Sequence, residues 1–436
     1  MQRVLLEFDA RDGEVFEMAE AAARSESEAE RQAIPYLDAL AGLGIGLIGA
    51  APVPMLIGPE GGPAPSGLSE FAPSGARPTP VVGRRSMVIP ADVPAAAMAG
   101  LHAHAGVHVW PDSRLALVEK ADCGFEPPVA IGDLQELLGV AEVWGAGARG
   151  QGVVVGILDE GVSGEHYPVI GGFVREGSGV TPGGASVQSH GSMCAADVLV
   201  AAPEAKLYDY PFLGVPRSGG ALQMFQAALN QRRIDGTPHL TNNSYGFVGV
   251  PDPAENPDHE VHNLNHPLHR KIREVVATGI ACFFAAGNCG QDCPSGNCHA
   301  SGVGPGRSIH GSNSLEEVVT IAAVNAAHVR IGYSSQGPGM FARQKPDLSA
   351  YSHFHGNFGP GRPAGGESFD NGTSAATPVA AGVAALLMSA VPGLSPAALK
   401  AALIASALPL GNEGWSPGTG HGVVNAAAAY RRLLTA

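Results

Sequence analysis

Four short segments of the 436-residue chain hold side chains that together can attack a carbonyl. In VVVGILDEGV, Asp159 closes an apolar run just ahead of Gly161, so its carboxylate stands at a strand end where it can accept an imidazole N–H. In SHGSMCAADVLVAAPEAKLYDY, His190 and Gly191 open a small-residue helix that leads into an apolar strand, a setting for a general base. In FDNGTSAATPVAAGVAALLMS, Ser374 begins a long apolar helix. Its backbone N–H is one of the donors a helix N-terminus leaves unpaired, and it can bind an oxyanion. Pro378, four residues on, has no N–H to give the Ser374 carbonyl, an irregularity that suits an exposed nucleophile. In ACFFAAGNCG, Asn288 directly follows a buried strand, where its amide can donate to a tetrahedral intermediate.

Taken singly, each has a plainer reading. Asp159 is an ordinary turn or cap residue, His190 a surface histidine at a helix start, and Ser374 a helix cap for which Thr373 serves equally well. The case for chemistry is their joint occurrence.

The elements that must hold these residues follow from the apolar patterning. From Asp133 onward apolar strands alternate with helices, which predicts a largely parallel sheet covered on both faces, with chemistry at the carboxyl ends of its strands. VVVGIL from Val153, IACFFAA from Ile280 and EVVTIAAV from Glu317 are its buried strands. Before them the chain reads as a small α+β unit: strand RVLLEF from Arg3, a helical stretch from Glu17 to Leu43, and VPMLIG from Val53. After a Pro/Gly/Ser-rich loop from Gly58 to Arg84 come strand SMVIPA from Ser86, an alanine-rich helix from Val93 to Ala105, and strand VHVW from Val107. A second linker spans about Ala121 to Ile131, and no internal repeat of solenoid period is visible.

Composition narrows the partners. With 26 Lys plus Arg against 40 Asp plus Glu, the net charge is −14, and no basic block exists to neutralise a run of phosphates, which argues against nucleic acid. The uncharged run Ala39–Gly58 is broken by five glycines and two prolines, and the apolar run Thr377–Val391 is short for a bilayer, so neither predicts a membrane span. MQRVLLEFDARDGEVFE has no basic segment, apolar core and cleavage site in series, so the expectation is the cytoplasm, with non-standard export or a trimmed chain as alternatives. Reduced thiols are then the default for the six cysteines. Cys289, Cys293, Cys298 and His299 have metal-ligand types, but their spacing is not a paired CxxC, and a local disulfide or small buried thiols is the preferred reading.

Four segments in this order resemble the subtilisin-like serine protease family, whose signatures are an Asp-Thr/Ser-Gly strand end, His-Gly-Thr, Ala-Ala-Gly-Asn and Gly-Thr-Ser-Met-Ala. The order Asp, His, Ser differs from that of chymotrypsin-like enzymes and α/β-hydrolases. VAAPEAKL after His190 and KPDLSA from Lys345 extend the likeness, which runs from about Asp133 to the C-terminus. The resemblance implies an α/β three-layer subtilisin-like domain over 133–436 that works as a serine endopeptidase. Ser374 would be the nucleophile, His190 the base, Asp159 its orienter and Asn288 an oxyanion donor. NNSYG resembles Asn-x-Ser-Leu-Gly, so Ser244, Tyr245 and Gly246 would pair with an extended peptide and wall its primary pocket, opposite Ala285, Ala286 and Gly287. No cofactor is implied for the chemistry. Structural calcium is frequent in the family, but no acidic cluster maps to a site. Residues 1–121 resemble the family's inhibitory propeptide, of ferredoxin-like α+β type, which implies an intramolecular inhibitor and self-cleavage in the 122–132 linker region.

Some features depart from the family pattern. Glu160 replaces Thr or Ser, Tyr245 stands where Leu is usual, and an insertion carries His259, His262, His266 and His269. HxxH spacing at helical pitch can hold a metal, but a polar loop entering a helix near Pro267 is the simpler reading. A catalytically silent peptide-binding module and a serine esterase are the competing functions. Filled chemical positions weigh against the first, and the missing Gly-x-Ser-x-Gly elbow against the second.

Overall fold

The computed structural model describes residues 1–10, 52–58, 85–104, 106–117, 123 and 127–435 without 176–177, 366–367 and 412–413, together with scattered positions between 17 and 47. Most of the expected 17–43 helix, the 58–84 loop beyond Gly58 and much of the 121–131 linker lie outside the described residues.

The N-terminal unit is built on strand β1 (Gln2–Asp9), whose VLLEF core is buried. It pairs antiparallel with β4 (Ser86–Val93) on one side and β5 (Val107–Pro111) on the other. Between those two runs helix α1 (Ala95–His102), so the expected strand-helix-strand pattern is a crossover around β1. β2 (Gly46–Leu47) and β3 (Val53–Met55) pair with β4, and the two-residue strand β6 (Ala116–Leu117) leaves the sheet altogether.

After helices α2 (Ile131–Leu138) and α3 (Val140–Gly145), seven strands form one sheet: β7 (Val154–Asp159), β8 (Val169–Gly172), β9 (Lys206–Pro211), β10 (Leu240–Asn243), β12 (Ala281–Ala285), β13 (Val319–Val324) and β14 (Leu348–Tyr351). Their spatial order is β14-β13-β12-β10-β7-β9-β8, and every neighbouring pair is parallel. A parallel sheet must be covered on both faces, which is why its strands read as unbroken apolar runs. One face packs on α4 (His190–Ala201) and α7 (Thr373–Ala390), with α8 (Pro396–Ala405) and α9 (Ala426–Thr435) beyond. The other packs on α5 (Ser218–Asp235) and α6 (Pro267–Ala277), which also receive the N-terminal sheet. The fold is the expected α/β three-layer arrangement preceded by an α+β unit.

Helix α7 has the length and apolarity of a membrane span, yet 89% of its residues in that window are buried within the protein. It is the central core helix. Each fully buried valine or leucine in it contributes about 1.5–3 kcal/mol by area removed from water. Its contact with α4 is close because Gly382 lies against that helix: a Cβ there would meet the Val198 carbonyl oxygen at 2.3 Å. Replacing a helix-interior glycine with alanine gains about 1 kcal/mol of propensity, but overpacking of this kind costs about 1–3 kcal/mol. The clash is with backbone, so the second effect wins. Gly382→Ala is expected to lower the melting temperature of the purified chain by several degrees; an unchanged or raised value would show that the two helices separate without strain.

Candidate active site

Asp159 is the last residue of β7 and is fully buried. Its Oδ1 accepts the Glu160 N–H at 2.8 Å and meets His190 Nδ1 at 2.7 Å. His190 is the first residue of α4, a start fixed by Ser189, whose Oγ accepts the Ser192 N–H at 3.1 Å. With Nδ1 on Asp159, proton exchange with a reacting group falls to Nε2. The structure therefore brings the expected base and orienter into contact at a strand end and a helix start.

Ser374 is the second residue of α7. Its Oγ donates toward the Ser244 carbonyl oxygen at 3.4 Å. The Ser374 carbonyl, which Pro378 cannot serve, accepts Ser244 Oγ–H at 3.2 Å and lies 3.6 Å from Cys194 Sγ. The same sulfur is 3.7 Å from Asp159 Oδ2. Cys194 thus touches both ends of the site, and burial together with the Asp159 charge pushes its thiol well above the usual range, so it stays neutral. Its position four residues after His190, one helical turn, is the signal by which the sequence could have revealed it.

Asn288 lies just beyond β12. Its Oδ1 accepts both the N–H and the hydroxyl of Thr373, each at 2.9 Å, which fixes the amide orientation and turns Nδ2 the other way. A Cβ on Gly372 would stand 2.9 Å from Asn288 Nδ2 and 3.5 Å from the Ser374 N. The space left by this glycine is therefore lined by two N–H donors, the arrangement an oxyanion needs.

The expected substrate strand is β11 (Tyr245–Gly246), which follows Ser244. It is already paired: β6 runs antiparallel to it, with Leu117 opposite Tyr245 and Ala116 opposite Gly246. Tyr245 offers only its backbone, because its ring is buried against Phe212 and Phe284. Its bulk belongs to the core and does not shape a neighbouring subsite. Ala285, Ala286 and Gly287 face it at the end of β12 and in the turn after. The two walls are clamped by Asn313, whose Nδ2 donates to Tyr245 O at 2.7 Å and to Ala285 O at 2.8 Å. Nothing local marks Asn313 in the sequence, since its role depends on partners 68 and 28 residues away.

The cysteine loop contains disulfides. Cys289 joins Cys298 and Cys293 joins Cys123, while His299 caps a short 3-10 turn through Ser301. The sequence favours a local disulfide or small buried thiols for this loop, with reduced thiols as the default. Cys289–Cys298 is the local disulfide, both links depart from that default, and nothing local in the sequence points to Cys123, 170 residues away. Two histidines of the insertion are buried and serve packing: His266 caps α6 and contacts Pro111 O at 3.0 Å, and His269 contacts Ser312 Oγ at 3.1 Å. Buried Glu260 accepts the Ser113 N–H at 3.0 Å and hydroxyls of Ser113 and Ser218, and lies 3.3 Å from His259 and 3.5 Å from His266. Burial raises its pKa, but the two imidazoles and the hydroxyls outweigh this and hold the carboxyl below the usual range.

A parallel three-layer sheet with a carboxylate-imidazole pair, a helix-start serine and a two-donor hollow at its strand ends defines an acyl-transfer hydrolase. The model of the subtilase family, Peptidase S8, matches residues 150–422, and the chain belongs to this family. Subtilisin DY of Bacillus licheniformis is 28% identical over 307 residues, covering 67% of this chain and 96% of that protein. Serine protease AprX of Bacillus subtilis is 26% identical over 292 residues, covering 58% of this chain and 60% of its own. Among solved structures, fervidolysin from Fervidobacterium pennivorans, a keratinolytic enzyme related to subtilisin, aligns at TM-score 0.59 and 17% identity, over 99% of this chain and 61% of that one. MycP1 with the N-terminal propeptide removed aligns at TM-score 0.50 and 21% identity, over 70% of this chain and 97% of that one. The protein is a serine endopeptidase.

The Cys289–Cys298 link closes a short loop directly after Asn288, whose carbonyl accepts the Ser295 N–H at 2.8 Å. Loop-closure entropy for about ten residues amounts to about 2–3 kcal/mol. A Cys289→Ser/Cys298→Ser chain is expected to lose that much stability in urea denaturation; no loss would show that the loop is held by its hydrogen bonds alone.

Proposed function

We propose that Asp159, His190 and Ser374 form a catalytic triad and that the N-terminal unit holds the enzyme as a self-inhibited zymogen. In this reading Ser374 Oγ attacks the scissile carbonyl while His190 Nε2 takes its proton. The oxyanion is held by Asn288 Nδ2 and the Ser374 N–H, and His190 then protonates the leaving amine, giving an acyl-enzyme that water hydrolyses by the same steps. Asp159 orients the ring and stabilises the imidazolium. Substrates are proteins or peptides bound as an extended strand on Ser244, Tyr245 and Gly246. The chemistry needs no cofactor, and no residue is assigned to a structural calcium ion.

One observation carries the zymogen reading: in the intact chain β6 occupies the edge on which a substrate strand would lie. The N-terminal unit is anchored for this by polar contacts. Glu7 meets Arg270 at 2.5 Å, Leu56 and Ile57 N–H groups bond Glu274, Lys271 reaches Pro54 O at 2.6 Å, and Asp112 Oδ1 accepts the Gly219 N–H at 2.8 Å. Asp112 caps the first turn of α5, and burial raises its carboxyl to about 6. We place self-cleavage within residues 118–120, directly after the paired strand and ahead of the 122–132 region that the sequence suggests. Cys123 then stays with the catalytic part, held by Cys293. Two disulfides fit an oxidising compartment better than the cytoplasm; trapping the thiols of freshly extracted protein with a maleimide tests this, and full labelling of all six cysteines would restore the cytoplasmic reading.

N-terminal sequencing of the purified protein beside its Ser374→Ala variant tests the central claim. The expected result is a new start between residues 119 and 121 in the first and an intact chain in the second. Identical intact starts would overturn self-processing. In the processed enzyme a fluorophosphonate should label Ser374, and Asn288→Ala should lower kcat about a hundred- to thousandfold, the effect of losing such a donor in subtilisin. No labelling would favour a silent peptide-binding module, and labelling with ester but no peptide hydrolysis an esterase.

A further inference from the structure

Behind the site lies a pair of facing carboxyl groups that the proposed chemistry does not use. Asp197 sits on α4, two turns after His190, and is fully buried. Neither of its oxygens receives a hydrogen-bond donor from the described residues. Asp370 is also fully buried, four residues before Ser374, and both of its oxygens are used: Oδ2 accepts the Asn357 N–H at 2.5 Å and Oδ1 the Phe358 N–H at 3.0 Å. The two groups face each other across the space that Gly356 leaves, where a Cβ would meet Asp370 Oδ2 at 1.9 Å and Asp197 Oδ1 at 2.8 Å.

These surroundings distinguish the two acids. A carboxylate that accepts two backbone N–H groups is stabilised in its charged form, whereas a buried one that accepts none is not. We propose that Asp197 is a neutral acid that donates its proton to Asp370, and that this bond positions His190 relative to Ser374 by latching the helix of one to the turn of the other. Asp197 is a positioning residue and touches no substrate. Burial first, and the facing Asp370 charge second, push its carboxyl well above the usual range. The other charged or titratable groups that reach the pair are Arg362, whose Nε donates to Gly356 O at 2.7 Å, Tyr167, whose hydroxyl bonds Asn357, and the neutral thiol of Cys194 on the same helix face. The sign is that of a raised acid. The bond is intact below the shifted pKa and is lost as pH rises through it, when two buried like charges must separate and draw the base from the nucleophile.

The inference rests on the proposed roles of His190 and Ser374, so the test has one arm that needs no activity. Difference infrared spectra of the full chain carrying Ser374→Ala should show, at neutral pH, a protonated-carboxyl C=O band that vanishes when Asp197→Asn is added; no such loss overturns the proposal whatever Ser374 does. In the processed enzyme Asp197→Asn, which still donates but cannot ionise, should move the alkaline limb of kcat/KM upward by about one pH unit or more. Asp197→Ala should lower kcat about tenfold with KM within about twofold. An alkaline limb unmoved by Asp197→Asn overturns the latch. So does a melting temperature that falls on chelation or on exchange of sodium for potassium in the parent but not in Asp197→Asn, because a cation would then hold the pair. Peptidase activity retained by Ser374→Ala would instead sink the triad and leave the infrared result standing.

Discussion

The contact between α4 and α7 sets the geometry of everything else. Each helix begins at a residue of the proposed triad, His190 or the Thr373–Ser374 step, and both are buried against one face of the sheet. Their separation is fixed by backbone against backbone at Gly382 and Val198. A side-chain contact would adjust by changing rotamer; this one cannot. Parallel strand order then brings Asp159, at the end of β7, to the same rim as both helix starts.

Around that rim, Asn288, Thr373 and Asn313 are each held by more than one hydrogen bond. Asn288 keeps its carbonyl side on Thr373, so the amide cannot flip without leaving two donors unmet. Thr373 Oγ1 also accepts the Gly287 N–H at 3.1 Å, tying the end of β12 to the start of α7. Asn313 ties the opposing walls of the cleft together by donating to a backbone carbonyl on each. Donors aimed at a developing oxyanion act most strongly when they need not reorganise, and in the proposed mechanism Asn288 is held in that way by Thr373.

What was readable in the sequence was local. Apolar runs of six or seven residues ending in Asp or Gly-Asn gave the buried strands and their ends, and small-residue runs after His190 and Ser374 gave the two helices. Pro378 even marked the carbonyl that would need an outside partner, which the structure supplies as Ser244 and Cys194. What could not be read depends on distant pairs. Cys123 and Cys293 are 170 residues apart, Asn313 joins two strands, and Glu260 gathers hydroxyls from Ser113 and Ser218. Asp197 was hidden for a different reason: within an otherwise apolar helix a single acid looks like a solvated residue, and only the fold shows that it faces another acid.

The polarity of the surface under the N-terminal sheet bears on whether that unit can leave. A wholly apolar interface between the sheet and α5–α6 would expose only hydrocarbon on separation and hold the halves together permanently. Here Leu5, Val53, Met55, Val88 and Trp110 share an apolar cluster with α5 and α6, but the contacts also include the Glu7–Arg270 ion pair, Lys271 Nζ on Pro54 O, and backbone N–H groups accepted by Asp112 and Glu274. Such groups are costly to leave half-paired and well solvated once fully exposed, so a docked unit is specific and an undocked surface is soluble. Under the proposed processing, docking before a cut after β6 is intramolecular and favoured by high effective concentration; after it, the same contacts would have to hold against dilution. An interface of mixed apolar and charged contacts is the kind in which that single covalent change shifts the balance, which is why the proposed control falls on the chain between Leu117 and Cys123.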